Sequence, residues 1–568
     1  MGNFRLVKSI CLIVGLVLVS ISFSEGGRTP LRVKNGIVTS ASRLASDAGV
    51  SALKQGGNAV DAAITTAFAL AVTLPSAGNI GGGGFMVYHG EDGHATTFDF
   101  REKAPLAANE RMYLGLDGDV IDNSNHIGML AIGVPGTVAG LWKAHQELGS
   151  LPWADLVAPA VKLAREGIPM SYSLYSGFAR SKGRFDQYPS TAAKFFKADG
   201  SLYELGETWY QPDLAHTLEL IQDNGADGFY KGENASRLAG FMADNGGLIT
   251  EEDLLKYEAV EREPIRGTYR GYDIVSMPPP SSGGVVLVEM LNILEGYDLS
   301  DMGHNSALYL HVLTESMRRA YADRAEHLGD PDFNEGMPLE RLLDKDYASN
   351  LRGSIDMDQA SKSDPNGFAE PYESEETTHF SVVDKDGNMV SMTYTLEFGY
   401  GSGIVVEGGG YLLNNEMGDF NAVPGVTNTR GLIGTAANLV APEKRMLSSM
   451  TPTIVAKDGR PVFTAGSPGG KTIINTTLQL ILNVVDHDMN IAESVEAGRI
   501  HHQWLPDVTS METGSLSLDT IELYEARGHR FRERAAQGAA MAVFYDRVNK
   551  LFEGASDSRR GDGAAVGY

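Results

Sequence analysis

Thr377-Thr378-His379-Phe380-Ser381-Val382-Val383 is followed, after Asp384-Lys385-Asp386-Gly387-Asn388, by Met389-Val390-Ser391-Met392-Thr393-Tyr394-Thr395-Leu396. Both flanks are rich in β-branched and aromatic residues, and the polar run between them reads as a hairpin loop. Asp384 favours a type I turn, and Gly387 suits the left-handed residue that follows in a three-residue loop. That loop pairs Asp384 with Asn388, and counting outward pairs Thr377 with Thr395. Paired residues share a face of the sheet at about 5 Å, so two threonine hydroxyls are expected to meet at the start of the strand. A two-residue loop would slip the register by one and set Thr395 against Thr378.

The stretch before this hairpin, Gly353 to Glu376, reads GSIDMDQASKSDPNGFAEPYESEE. It is too poor in branched apolar residues to bury enough surface to order itself. A long segment of this kind inside a compact protein is often functional. Here it leaves the bond between Glu376 and Thr377 accessible to rearrangement. If that bond breaks, Thr377 carries a hydroxyl and a free α-amine with an ordinary pKa of about 7.7–8. The amine can then act as general base for the hydroxyl.

The remainder of the 568 residues mixes helices and strands without internal repeats. Ser42–Gln55, Asn58–Leu74 and Ser306–His327 carry helical apolar spacing, and Phe85–Tyr88 with Ala95–Asp99 reads as a second hairpin. A net charge of −26 argues against nucleic acid as a partner. The one cysteine, Cys11, lies in an apolar run from Ile10 to Phe23 behind Arg5 and Lys8. That run is short of the roughly 20 residues of a membrane span, and Ser22-Phe23-Ser24 resembles a cleavage site. Residues 1–24 are therefore read as a signal peptide and the protein as periplasmic or secreted, with an uncleaved anchor as the alternative. The mature chain would hold no thiol, disulfide or Cys-ligated metal, so its nucleophile must be oxygen or nitrogen.

From about Val33 to Tyr568 the sequence resembles the γ-glutamyltransferases, a family of N-terminal-nucleophile hydrolases. The resemblance rests on Thr377–Asp384, on Leu413-Asn414-Asn415-Glu416-Met417-Gly418-Asp419-Phe420, on Leu447-Ser448-Ser449-Met450-Thr451-Pro452-Thr453 and on Gly466-Ser467-Pro468-Gly469-Gly470. It implies an α+β fold, a four-layer αββα sandwich, and a precursor that cuts itself before Thr377. The products would be a large subunit (25–376) and a small subunit (377–568) of one interleaved heterodimer. It also implies residue roles. Thr377 is the nucleophile and Thr395 its hydrogen-bond partner, while the N–H groups of Gly469 and Gly470 form an oxyanion hole. Arg101 clamps the α-carboxylate of a γ-glutamyl group with help from Ser448 and Ser449, and Glu416 and Asp419 hold its α-ammonium. Donors such as glutathione, acceptors that are amino acid or peptide amines or water, and no cofactor complete the implied chemistry. One position departs: the family often has Asn where this chain has Glu397, which can still accept from an α-ammonium. Cephalosporin or glutaryl acylases and poly-γ-glutamate-cleaving enzymes share the fold and stand as alternatives. Asn421 to Lys444 resembles a lid over the glutamyl pocket.

Other readings compete. Ala465–Thr472 fits a relaxed P-loop between a strand-like Pro461–Thr464 and a helix-like Ile474–Val485. It lacks the first glycine, and Pro468 removes an N–H donor. Gly78–Gly84 is read as close packing of a helix and a strand. His501-His502 has no metal-ligand partner at suitable spacing, and His379 is read as structural or orienting rather than as a base. Asn234-Ala235-Ser236 is a glycosylation pattern without expected consequence. A binding protein that keeps this fold without chemistry is the last alternative.

Overall fold

The computed structural model describes residues 27–363, 377–425 and 435–568. The expected signal segment, Glu376, most of the run before it and the middle of the expected lid lie outside the described residues. Fourteen strands of the described residues build two large sheets: β1 Leu31–Val33, β2 Ile37–Ser40, β3 Gly83–His89, β4 Ala95–Phe100, β5 Val260–Arg262, β6 Ile265–Tyr269, β7 Tyr272–Ser276, β8 Thr377–Val383, β9 Met389–Thr395, β10 Thr453–Lys457, β11 Arg460–Ala465, β12 Met541–Asp546, β13 Leu551–Ser556 and β14 Ala564–Gly567. The first sheet runs β14-β2-β8-β9-β3-β4-β5 and the second β1-β13-β12-β11-β10-β7-β6.

Strand alternation sorts each sheet into two faces. On the first sheet Phe380, Val382, Val390, Met392 and Tyr394 face outward onto α1 (Arg43–Lys54) and α2 (Ala59–Thr73). On the second, Ile274, Val455, Phe463 and Ala542 face α3 (Gly283–Leu294), α4 (Ala307–His327) and α5 (Thr472–Val485). Phe85, Val87, Val275, Val383, Met389, Ile454 and Val543 fill the space between the sheets. The layers are therefore helix, sheet, sheet, helix. α2 is buried along its whole length, which its run of Ala, Thr and Val permits at close range. Its start is fixed by a reciprocal cap, with the Asn58 side chain accepting from Val60 and Asp61 N–H and Asp61 accepting from Asn58 N–H.

The β8–β9 hairpin has the expected three-residue loop. Asp384 N–H donates to the Asn388 carbonyl at 3.1 Å, Gly387 sits at φ +94°, and the register pairs Thr377 with Thr395. Asp384 also accepts from the Ala59 N–H at 3.0 Å, tying the turn to the start of α2. The inner face of this hairpin is a polar ladder: Thr377/Thr395, His379/Thr393 and Ser381/Ser391. The ladder is satisfied across the gap between sheets. Thr464 donates to Ser381 Oγ at 2.8 Å, and Thr453 N–H donates to Ser391 Oγ at 3.0 Å.

The glycine run packs backbone against backbone, as expected. A Cβ at Gly78 would lie 2.2 Å from the Leu70 carbonyl oxygen, one at Gly82 2.1 Å from that of Thr395, and one at Gly84 2.4 Å from Tyr394 Cβ. Overpacking of this kind costs about 1–3 kcal/mol. Gly84→Ala should lower the thermal midpoint by that equivalent and reduce activity with it, since β9 carries Thr395. A midpoint equal to wild type in a differential scanning experiment would show that β3 and β9 have room to part.

Candidate active site

Thr377 opens β8 and is 5 % exposed. Its hydroxyl donates to Thr395 Oγ1 at 3.3 Å, and Thr395 Oγ1 also accepts from the Glu397 N–H at 2.9 Å. Behind them Asn79 anchors the strand end, donating to the Thr395 carbonyl at 2.8 Å while accepting from Thr137 and from Gly82 N–H. His379 bonds through its two ring nitrogens to Thr393 at 2.8 Å and Ser381 at 3.1 Å. Burial pushes its pKa down to about 3, so it stays neutral. A Cβ at Gly466 would lie 2.2 Å from this ring. His379 thus braces β8 against the Gly466–Gly470 turn.

That turn leads from β11 into the first residues of α5. Gly469 has φ +132° and Gly470 φ +55°, conformations that glycine adopts without a steric penalty. Thr472 N–H and hydroxyl both bond the Gly469 carbonyl, at 3.1 and 2.8 Å. Ser467 Oγ accepts from Ala539 N–H at 3.0 Å and donates to the Pro468 carbonyl at 2.8 Å. No acceptor among the described residues takes the N–H of Gly469 or Gly470. Two such donors at the positive end of a 14-residue helix suit a developing oxyanion. The strand–turn–helix context of a P-loop is present. The cavity it faces is nonetheless lined by Glu397, Glu416 and Asp419, whose charges oppose a phosphate chain.

The cavity is narrow, about 30 Å³, and nine of the ten expected catalytic and substrate-binding residues line it; Gly469 stands just behind Gly470. Arg101 donates to Glu416 and Asp419 through its two terminal nitrogens and to the carbonyls of Met446 and Leu447 at 3.3 Å each. Burial works against its charge, but Glu416, Asp419 and Glu102 outweigh it and push its pKa up. Glu102 is fully buried 3.7 Å from Arg101. Burial raises its pKa to about 7, and burial likewise drives Glu416 far above the usual carboxylate range. Both acids are thereby biased toward their neutral forms. On the opposite wall, Glu397 lies 3.3 Å from His126 Nδ1, and the His126 ring stacks on Phe398 at 5.3 Å. Desolvation lowers the His126 pKa.

Ser448 Oγ accepts from Met450 N–H at 3.1 Å, and Ser449 Oγ accepts from Arg324 Nη2 at 2.9 Å. Described parts of the expected lid reach the same place. Asn438 donates to the Asp419 carbonyl at 2.7 Å and accepts from Leu447 N–H at 2.9 Å. Three residues of this site were not singled out from sequence: Glu102, His126 and Arg324. Glu102 had a local signal in its adjacency to Arg101, whereas His126 and Arg324 sit far from any motif. His501 and His502 lie elsewhere, bonded to Asn475, Gln503 and Asp507. Among the described residues no group of three or more His, Cys, Asp or Glu is placed to hold a metal, and no helix is long and apolar enough to cross a membrane.

Comparison with known proteins agrees with this geometry. The gamma-glutamyltranspeptidase family model matches residues 45–567. The glutathione hydrolase proenzyme of Escherichia coli is 46 % identical over 552 residues, covering 97 % of this chain and 95 % of that protein. Among solved structures, a cephalosporin acylase from Bacillus halodurans superposes with a TM-score of 0.84 at 26 % identity, covering 97 % of this chain and 99 % of its own. The Helicobacter pylori gamma-glutamyltranspeptidase superposes with a TM-score of 0.55 at 44 % identity, covering 56 % of this chain and 91 % of that chain. With its threonine-led hairpin, its glycine turn and its αββα layers, this chain belongs to the gamma-glutamyltranspeptidase family of N-terminal-nucleophile hydrolases.

Proposed function

We propose that the protein is an exported γ-glutamyltransferase and glutathione hydrolase that matures by cutting itself between Glu376 and Thr377. The observation that carries this reading is the Thr377 hydroxyl, held at the first position of β8 against Thr395 inside a cavity bordered by the free N–H of Gly470. In maturation the Thr377 hydroxyl attacks the carbonyl of Glu376, the acyl group shifts from nitrogen to oxygen, and water hydrolyses the ester. The large subunit (25–376) and small subunit (377–568) then remain one αββα body, since β8 lies between β2 and β9.

In turnover the free α-amine of Thr377 takes the hydroxyl proton as Oγ1 attacks the γ-carbonyl of the donor. Gly469 and Gly470 N–H groups stabilise the oxyanion. Collapse breaks the amide bond, and the leaving amine departs with the proton. Water or the amine of an amino acid or peptide then attacks the γ-glutamyl ester, giving glutamate or a new γ-glutamyl amide. Arg101, Ser448 and Ser449 hold the α-carboxylate of the donor, and Glu397, Glu416 and Asp419 its α-ammonium. The described ends of 421–444 reach the pocket rim, which supports a gating role for that segment.

The superposition on a cephalosporin acylase favours a second reading, an acylase acting on glutaryl-like groups. The three carboxylates in the cavity count against it, because a glutaryl group brings no ammonium to meet them.

Thr377→Ala should purify as one uncut chain without turnover; intact-mass spectrometry showing two chains, or any retained activity, would overturn the assignment. With wild type, kcat/KM for a γ-glutamyl anilide should exceed that for the glutaryl anilide by about a hundredfold or more, and equal values would favour the acylase. The raised pKa of Glu102 gives a further expectation. A cationic ammonium favours the ionised carboxyl, so binding of L-glutamate should release protons and tighten as pH rises through about 7, the raised Glu102 pKa. Calorimetry in buffers of different ionisation enthalpy should detect this release, and Glu102→Gln should reduce it. Release undiminished in the variant places the proton elsewhere.

A further inference from the structure

The cavity contains two arginines in opposite electrostatic conditions. Arg101 faces Glu416, Asp419 and Glu102. Arg324 is equally a lining residue and only 7 % exposed, yet no carboxylate among the described residues lies within ion-pair reach of it. Its partners are hydroxyls: Nε donates to Ser282 Oγ and Nη2 to Ser449 Oγ, each at 2.9 Å. Burying a guanidinium without a counter-charge is expensive. A site that keeps one is arranged for an anion that arrives with the ligand.

The hydrogen-bond directions add a second, independent argument. A guanidinium only donates, so Arg324 occupies a lone pair of Ser449 Oγ and leaves the serine proton to be given away. Ser448 is in the same state, its oxygen accepting from Met450 N–H. No acceptor among the described residues takes either serine proton. Ser282, held by Arg324 Nε, donates in turn to the Ser448 carbonyl at 2.6 Å. One arginine thereby aligns both serines as donors.

We infer that Arg324 is a positioning residue for the carboxylate of the acyl donor, supplying the uncompensated positive charge of the pocket and acting through Ser449. This rests on the reading that Ser448 and Ser449 hold that carboxylate. Arg101 meets that carboxylate while already paired with acids of its own, and Arg324 adds a positive charge that no carboxylate among the described residues answers. The site then recognises both charges of a zwitterionic acyl group.

The test compares kcat/KM for a γ-glutamyl anilide with that for its α-carboxamide analogue, which lacks the anion. Arg324→Gln should lower this ratio about ten- to hundredfold, the size of a lost charge-assisted hydrogen bond, with the loss in KM. Arg324→Lys keeps the charge but cannot hold Ser282 and Ser449 together, so its ratio should fall between the two. Ser449→Ala should lower the ratio as well, and adding Arg324→Gln to it should cost little more. Equal losses for both donors, or additive losses in the double variant, overturn the inference. If Ser449→Ala lowers the ratio while Arg324→Gln does not, only the role of Arg324 falls. If Ser449→Ala leaves the ratio unchanged, the placement of the carboxylate falls and the relay with it. Should Arg324→Gln fail to fold, Arg324→Lys decides: a ratio lowered about threefold or more supports the role, and an unchanged ratio overturns it.

Discussion

The structure depends on the pairing of Thr377 with Thr395 at the open end of a hairpin buried between two sheets. That register sends Thr377, His379 and Ser381 inward and Phe380 and Val382 outward onto α2. A slip of one residue would reverse every one of these assignments. It would place a phenylalanine among the hydroxyls and the nucleophile under a helix. The polar ladder on the inner face is what makes the register unique, because two of its three rungs meet the opposing layer: Thr464 for Ser381, Thr453 for Ser391, and the Gly466 turn for His379. Apolar residues of similar size would pack but would not distinguish one register from another.

The same ladder ties the hairpin to the glycine turn. His379 contacts Gly466, so the strand that opens with Thr377 and the helix start that faces it cannot move independently. Tyr321 on α4 donates to the carbonyl of Lys471 at the other side of that turn, and Arg324, one turn further along the same helix, reaches Ser449. Helix α4 therefore supports two walls of the cavity at once. Burial does the electrostatic work: it keeps His379 neutral and raises the pKa of Glu102 and of Glu416, while Arg324 sits beside hydroxyls with no carboxylate among the described residues in reach.

A great deal of this was legible in the residue order, where the determinants were local. The three-residue loop followed from Asp384 and Gly387, the Thr377–Thr395 pair from counting outward, and α1, α2 and α4 from apolar spacing. The glycine run read as close packing, and the backbone contacts of Gly78, Gly82 and Gly84 agree. The gathering of Arg101, Glu397, Glu416, Asp419, Ser448, Ser449 and Gly470 around Thr377 was not local. It came only through a family resemblance, by shared motifs for Glu416, Asp419, Ser448, Ser449 and Gly470 and by the family's residue roles for Arg101 and Glu397, because no periodicity links residue 101 to residue 449.

By itself, then, the sequence determined the hairpin, its register and the hydroxyl pair at its open end. Turn preference and strand alternation act over a few residues and can be counted. The tertiary structure alone decided which charges are answered and which are not. Arg101 and Arg324 are the same residue type, yet one is surrounded by three acids and the other, among the described residues, by none. Glu102 beside Arg101 and His126 beside Glu397 are likewise products of folding. Charge compensation depends on distance and burial in three dimensions, and neither is written in the spacing of residues along the chain.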